Sequence, residues 1–242
     1  MVAHKVVSHD EWVAARKKHL AKEKEFTRLR DQLSQERRDL PWELVNKEYS
    51  FEGESGMRSL DDLFGGRGQL VIYHAMWNPD TAGPGTTWTV DSPCFVCSLW
   101  MDNFDRVAVH LNHRDITIAA ASRAPYSKIS DYRKRMGWTF PYYSSSSGSD
   151  FNFDYGVSFT ADELKQEKVD YNYRLNPFSM TEAPGISVFL KEGDKIYHTY
   201  STYARGLDML NVAYHYMDLV PKGRDEAEIG PMWIRRRDEY SD

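Results

Sequence analysis

The sequence predicts an α/β fold, a central mixed sheet flanked by helices, with a helical extension at the N-terminus. Three observations lead there. Gln69–His74 and Asp115–Ala121 are short apolar runs, each followed by a stretch with helical spacing, as in parallel β-α-β units. Ile186–Leu190 and Lys195–Tyr200 lie on either side of Glu192-Gly193-Asp194, a turn signal for an antiparallel hairpin. The segment before Pro41 is dominated by Lys, Arg, Glu and Asp and has a helix-start signature at its head.

Taken in order, Ser8-His9-Asp10-Glu11 fits a capping box, so the first helix is expected from about Ser8 to Asp39, stopped by Pro41. Its apolar positions, Trp12, Val13, Leu20, Phe26, Leu29 and Leu33, form a narrow stripe. Such a stripe suits packing across its own domain, or a homodimer contact through this helix. Lys47–Phe51 reads as a short strand and Ser59–Phe64 as a helical turn closed by Gly65-Gly66. After the Gln69–His74 strand comes a loop from Met76 to Ser92, punctuated by Pro79, Gly83, Pro84 and Gly85. Pro93 marks the first turn of one amphipathic helix running to Leu111. Tyr126–Met136 is the next helix, ended by Gly137, and Phe140–Tyr143 is extended. Ser144–Asp150 reads as a polar loop tip, and Phe151–Thr181 shows no clear period. Leu207–Leu219 closes the domain as a helix. The expected division is a charged helix over 1–41, an α/β domain over 42–222 and a polar tail over 223–242.

Composition narrows the class. Hydrophobic content of 41% with 28% charged residues is that of a soluble globular chain rather than a disordered or membrane-embedded one. A net charge of -5 argues against nucleic acid or an anionic membrane as partner. No apolar run approaches the roughly 20 residues needed to span a bilayer. The first residues, Met1-Val2-Ala3-His4-Lys5, lack the apolar core of a secretory signal, so a cytoplasmic setting is expected.

The chemistry is expected at Ser92-Pro93-Cys94-Phe95-Val96-Cys97-Ser98, which holds both cysteines of the chain. With Ser92 as cap and Pro93 at the first helical position, Cys94 would sit among unpaired N–H groups that favour an anionic sulfur. Cys94 is then the nucleophile toward a disulfide, and Cys97, one turn deeper, the resolving thiol. Asp91 opposes this, because a carboxylate beside a thiolate raises its pKa. Inert buried thiols and a metal site are the alternatives. His110 and His113 follow at zinc-finger distance, but their x2 spacing is shorter than the usual x3–5 and they continue along a helix away from the thiols. No metal is therefore assigned. His74, at the end of its strand, is placed either to orient a thiol or to serve as a structural histidine. Trp77, Trp88, Phe95 and Trp138 are either core or the lining of a groove by the thiols.

A CxxC at a helix start, after the central strand of this element order, resembles the thioredoxin fold. More closely, the chain resembles the bacterial domain-of-unknown-function family 899, described as thioredoxin-like. The strings that carry this are Ala21–Glu25 with Arg37–Trp42, Ser122–Pro125, Arg135–Pro141, Gly148–Asn152 and His198–Gly206. The resemblance implies the thioredoxin-like fold over almost the whole chain. It also makes Pro184, in Glu182-Ala183-Pro184, the counterpart of the cis-proline that faces the thioredoxin disulfide. The loop from Ala75 to Ser92 is longer than thioredoxins have, so their substrate groove does not transfer directly.

The expected function is that of a thiol-disulfide oxidoreductase or thiol redox sensor. It would need no bound cofactor and would act on a protein or small-molecule disulfide or thiol. A non-catalytic binding or scaffold protein, and a peroxiredoxin-like peroxide reductase using Cys94, are the alternatives.

Overall fold

The structure, a computed structural model, describes residues 4–147, 150–228 and 230–241. Met1–Ala3, Gly148 and Ser149 of the expected loop tip and family string, and Ile229 and Asp242 of the expected tail lie outside the described residues. The chain divides into two units, Met1–Pro41 and Trp42–Asp242.

The first unit is helix α1, His9–Arg38. Ser8 caps it through the expected box: its hydroxyl accepts the Glu11 N–H at 3.3 Å, and the Glu11 carboxylate takes the Ser8 N–H at 3.0 Å. Asp10 and Glu11 open the helix and Arg37 and Arg38 close it, the order that complements the macrodipole. None of its side chains is buried, so local capping and charge order are its visible support.

In the second unit the elements run β1 Glu43–Leu44, β2 Ser50–Gly53, β3 Gly56–Ser59, β4 Gln69–His74, α2 Phe95–Met101, α3 Phe104–His113 and β5 Ile116–Ser122. They continue as α4 Tyr126–Met136, β6 Tyr142–Ser144, α5 Phe151–Asp154, α6 Ala161–Leu164, β7 Lys168–Asp170 and β8 Leu175–Pro177. Last come β9 Gly185–Glu192, β10 Lys195–Tyr203 and α7 Val212–Met217. Eight strands form one sheet in the order β1-β10-β9-β4-β5-β6-β2-β3. At its centre β4 pairs parallel with β5 and antiparallel with β9, and β9 pairs antiparallel with β10. That arrangement, two parallel strands and a hairpin added beside the first, is the thioredoxin-like fold, with α1 as its N-terminal extension.

Successive residues of a strand face opposite sides of the sheet, and here both sides are covered. Tyr73, Ala120 and Ile186 join the core under α2, α3 and α4, while Ile72, Ala119, Ala121 and Phe189 join a second core with Phe51, Phe64 and Phe151. The run Ala119-Ala120-Ala121 is fully buried, and its small side chains let layers approach the sheet closely. Gly185 opens β9 where a Cβ would lie 2.7 Å from the Tyr203 ring, so only glycine fits there. Gly137 ends α4 at φ +61°, the left-handed stop expected of it.

The structure departs from the sequence expectations in several places. The single helix over 93–111 is two, α2 and α3. The Asn103 side chain donates to the carbonyls of Leu99 (2.9 Å) and Trp100 (3.2 Å), and the Asp102 carboxylate accepts the Trp138 indole N–H (2.8 Å). The first closes the end of α2, and the second anchors the break to the core. The helix over 207–219 is likewise divided into a 3₁₀ segment, Ala204–Leu210, and α7, because the Asn211 side chain caps α7 by accepting the Tyr214 N–H. The strand expected at Lys47–Phe51 lies later, at β2. The serine run is no simple loop tip: Ser144 and Ser145 are buried, and Ser145 N–H donates to the Ser122 carbonyl (2.8 Å), continuing the β5 edge. The stretch 151–181 holds α5, α6 and the β7–β8 hairpin, each too short to show a period.

The segment 223–242, expected as a polar tail, packs on the domain. Ile234 is fully buried, and Arg135 takes Asp238 (2.7 and 3.0 Å) and Glu239 (2.9 Å). Among the described residues no helix is long and apolar enough to cross a membrane.

Candidate functional site

Beyond the end of β4, the chain turns so that one residue, Met76, holds both cysteines. Its N–H donates to the Cys97 sulfur (3.4 Å) and its carbonyl accepts the Cys94 N–H (2.9 Å). The long loop then folds back on itself around two buried indoles. Trp77 donates to the Thr89 carbonyl (3.0 Å) and Trp88 to the Asn78 carbonyl (2.9 Å). Thr89 and Ser92 pair across the return, and the Phe95 N–H reaches the Thr87 carbonyl at 3.2 Å. The insertion thus ends as a packed support for the start of α2.

Cys94 is itself the cap of α2, rather than a first-turn residue behind Ser92 and Pro93. Both cysteines are free and recessed, at 2% and 1% exposure. Burial alone pushes the Cys94 thiol up. The Cys97 thiol, the Thr87 hydroxyl and the N–H groups of Cys97 and Val96 outweigh it and bring the pKa down to about 7. No side-chain cap bond of ordinary geometry closes this helix start, so the two N–H groups act as nearby dipoles. The Thr87 hydroxyl is buried without a hydrogen-bond partner of ordinary geometry, and its nearness lowers the Cys94 pKa.

Cys97 has the opposite environment. Burial and the adjacent Cys94 sulfur drive its pKa well above the usual thiol range, against smaller help from the Tyr73 hydroxyl and the Met76 N–H. The surroundings therefore favour ionisation at Cys94 and oppose it at Cys97. Replacing Thr87 by valine is expected to raise the pH midpoint of Cys94 alkylation by roughly one unit. Stopped-flow alkylation across pH measures this; an unmoved midpoint would mean that the hydroxyl does not serve the sulfur.

Of the two readings the sequence allows for each, the structure gives His74 the structural one and puts Trp77 in the core that also holds both thiols. His74 faces the opposite side of the sheet, fully buried, stacked near Phe151 and Tyr155, with Nε2 2.9 Å from the Ser187 hydroxyl. Burial, and secondarily the charge of His198, push its pKa down to about 3. The alternation of β4 puts Tyr73, the residue before, on the thiol side. A strict count of that alternation could have identified it. Trp77 is fully buried and packs edge-on against Tyr132 within the core. Trp88 and Trp138 are also core.

Pro93 is buried and its carbonyl accepts a hydrogen bond from Arg236 (2.9 Å), so it anchors the C-terminal segment. Pro184 does face the thiols across a shared cavity, but its peptide bond is trans, like every other among the described residues. Asp91 turns outward to Lys128 (2.5 Å).

The cavity is about 430 Å³ and both cysteines line it. Tyr73, Met76, Val96, Trp100, Leu207 and Tyr214 supply an apolar interior. Arg205, Asp208, Arg224 and Glu226 stand at its polar side, and Gly230 and Pro231 of the C-terminal segment complete the wall. The Arg205 side chain on that side is 86% exposed. No spacing signal in the sequence joins residues 73 to 231, which only folding brings together. Close by in the chain, the Glu182 carboxylate is buried, accepts the Ser158 hydroxyl (2.6 Å) and lies 3.4 Å from Arg123. Burial raises its pKa to about 7 against those partners. Among the described residues no three His, Cys, Asp or Glu side chains are grouped to hold a metal ion.

A family model described as a bacterial protein of unknown function (DUF899) matches residues 1–240. No curated protein sequence matches. Among solved structures, the chain is similar to peroxidoxin BcpB from Mycobacterium tuberculosis at 14% identity and a TM-score of 0.46, covering 70% of this chain and 92% of that one. It is similar to peroxiredoxin Q from Xanthomonas campestris at 13% identity and a TM-score of 0.44, covering 71% and 91%. A hypothetical protein from Sinorhizobium meliloti, SMc02350, matches at 14% identity and a TM-score of 0.39, covering 66% and 70%.

Proposed function

The chain belongs to the bacterial family of unknown function DUF899, and within it we propose that Cys94 and Cys97 form a redox dithiol, with Cys94 as nucleophile and Cys97 as resolving thiol. The observation that carries this is the placement of the two sulfurs: both line one cavity, Cys94 at the cap of α2 and Cys97 one turn on beneath the Met76 N–H, in surroundings that lower the Cys94 pKa and raise that of Cys97. In the reducing setting expected of a cytoplasmic protein, the pair would rest as the dithiol seen here.

The chemistry follows from that difference. The Cys94 thiolate attacks one sulfur of a disulfide; a new S–S bond forms, the old one breaks, and the departing thiolate takes a proton. Once Cys94 is bonded, the negative sulfur that raised the Cys97 pKa is gone. Cys97 then loses its proton more readily, attacks the Cys94 sulfur and releases the second thiol. The protein ends oxidised by two electrons and the substrate reduced by two. The Tyr73 hydroxyl and the Met76 N–H both stabilise the Cys97 anion needed for the second step.

Burial of both thiols is the observation that favours the other reading, a binding protein that kept the fold without the chemistry. The cavity that both sulfurs line supports the redox reading instead. Incubation with glutathione disulfide decides between them. The native protein is expected to form a Cys94–Cys97 disulfide, and Cys97→Ser to stop at one glutathione adduct on Cys94. Thiols that stay free and resist alkylation in the folded protein would exclude the redox assignment.

A further inference from the structure

Cys94 is only 2% exposed, and what space it has is the cavity it shares with Cys97. Trp100, Leu207, Gly230 and Pro231 line that cavity with the two sulfurs, a recess suited to a small molecule rather than to a protein surface. A volume of about 430 Å³ lies in the range of small-molecule sites, roughly 300–1,000 Å³. The class of small molecule follows from where its electrophilic atom must be. In a disulfide the attacked sulfur carries a substituent and is bonded to a second substituted sulfur, so a recessed nucleophile has to reach the middle of the molecule. In a hydroperoxide the attacked oxygen is terminal and bears only hydrogen, so it can enter first while the organic part trails in the cavity. The interior that would receive that part is apolar, with Trp100 and Tyr214 packed edge to face at 5.3 Å.

We infer that the preferred oxidant of this dithiol is an organic hydroperoxide whose apolar body occupies the cavity, with Trp100, Leu207 and Tyr214 setting its preference over hydrogen peroxide. This rests on Cys94 and Cys97 being a redox pair. The Cys94 thiolate attacks the terminal oxygen; an S–O bond forms, the O–O bond breaks, and the alkoxide leaves. The Cys97 thiol, beside it in the cavity, gives the alkoxide a proton to make the alcohol. The resulting Cys97 thiolate attacks the Cys94 sulfenic acid and displaces hydroxide, which solvent protonates to water. Two electrons pass from the sulfurs to the peroxide, and an external dithiol restores the pair by exchange.

The test uses the full chain with dithiothreitol as reductant, and compares cumene hydroperoxide with hydrogen peroxide. The organic peroxide is expected to have a kcat/KM at least tenfold higher. In Leu207→Asn the ratio of the two values is expected to fall at least fivefold. Because that variant can fold poorly, a second measurement uses the native protein. The product alcohol, 2-phenyl-2-propanol, is expected to slow alkylation of Cys94 by occupying the cavity. Equal or higher kcat/KM for hydrogen peroxide, or no protection by the alcohol, overturns the inference. The small azo oxidant diamide separates the two levels. If it forms the Cys94–Cys97 disulfide while the peroxides show no such preference, only the substrate assignment falls. If it forms none, the redox pair itself falls.

Discussion

Replacing Cys94 by serine is expected to reduce turnover with any disulfide or peroxide to background, a loss on the order of 10³-fold or more. A serine hydroxyl at this position stays protonated at cellular pH, so the environment that brings the thiol to about 7 has nothing to ionise. The two variants at Cys97 separate the roles of that residue. Both remove the resolving sulfur, so both are expected to leave Cys94 as an adduct or sulfenic acid. Cys97→Ser keeps a donor toward the Cys94 sulfur, whereas Cys97→Ala removes the strongest group that lowers its pKa. The alkylation midpoint of Cys94 is therefore expected near its native position in the serine variant and clearly higher in the alanine variant. Equal midpoints in the two would mean that the thiol pair is not coupled through that hydrogen bond.

The second large effect is on stability against pH, where two buried groups oppose one another. His74 is held neutral, its pKa pushed down to about 3 by burial and by His198. Below the ordinary histidine value of about 6.5 the unfolded chain takes up a proton that the folded one refuses, so stability falls as pH drops from there toward 3. Glu182 runs the other way. Its folded pKa of about 7 lies above the unfolded value, so its contribution is full below about 4.5 and is lost as pH rises through 7. Between about 4.5 and 6.5 the two slopes cancel.

Each conservative variant unmasks the other group. Glu182→Gln is expected to lose stability steadily on acidification from pH 6.5, and His74→Gln to gain it from pH 7 down to about 4.5. The changes relative to each variant's own neutral value differ at pH 4.5 by roughly 5 kcal/mol, from about 1.4 kcal/mol per pH unit for each proton. Urea unfolding at a series of pH values measures this, and parallel curves for the two variants would mean that neither group carries the shift assigned to it.

How much of this was legible beforehand depends on range. The β4 strand and α4 were read to the residue, because Gln69–His74 is a short apolar run and Gly137 a strong stop. The capping box of α1 was read for the same reason: all its partners lie within one turn. The breaks at Asn103 and Asn211 were not. Their amides act as local caps only because the core aims the next helix elsewhere, and spacing alone does not reveal that.

At the site, the sequence by itself determined the pair of sulfurs one turn apart and their arrival after the central strand. Those are properties of neighbours in the chain. Only the tertiary structure decided that Cys94 caps its helix, that Tyr73 rather than His74 faces the thiols, and that Arg236 ties the C-terminal segment to Pro93. It also made the cavity, whose walls come from residues as far apart as Tyr73 and Pro231. The physical reason is that an ionisable sulfur takes its pKa, and its access to a substrate, from whatever surrounds it in space. Here most of those surroundings are distant in the chain.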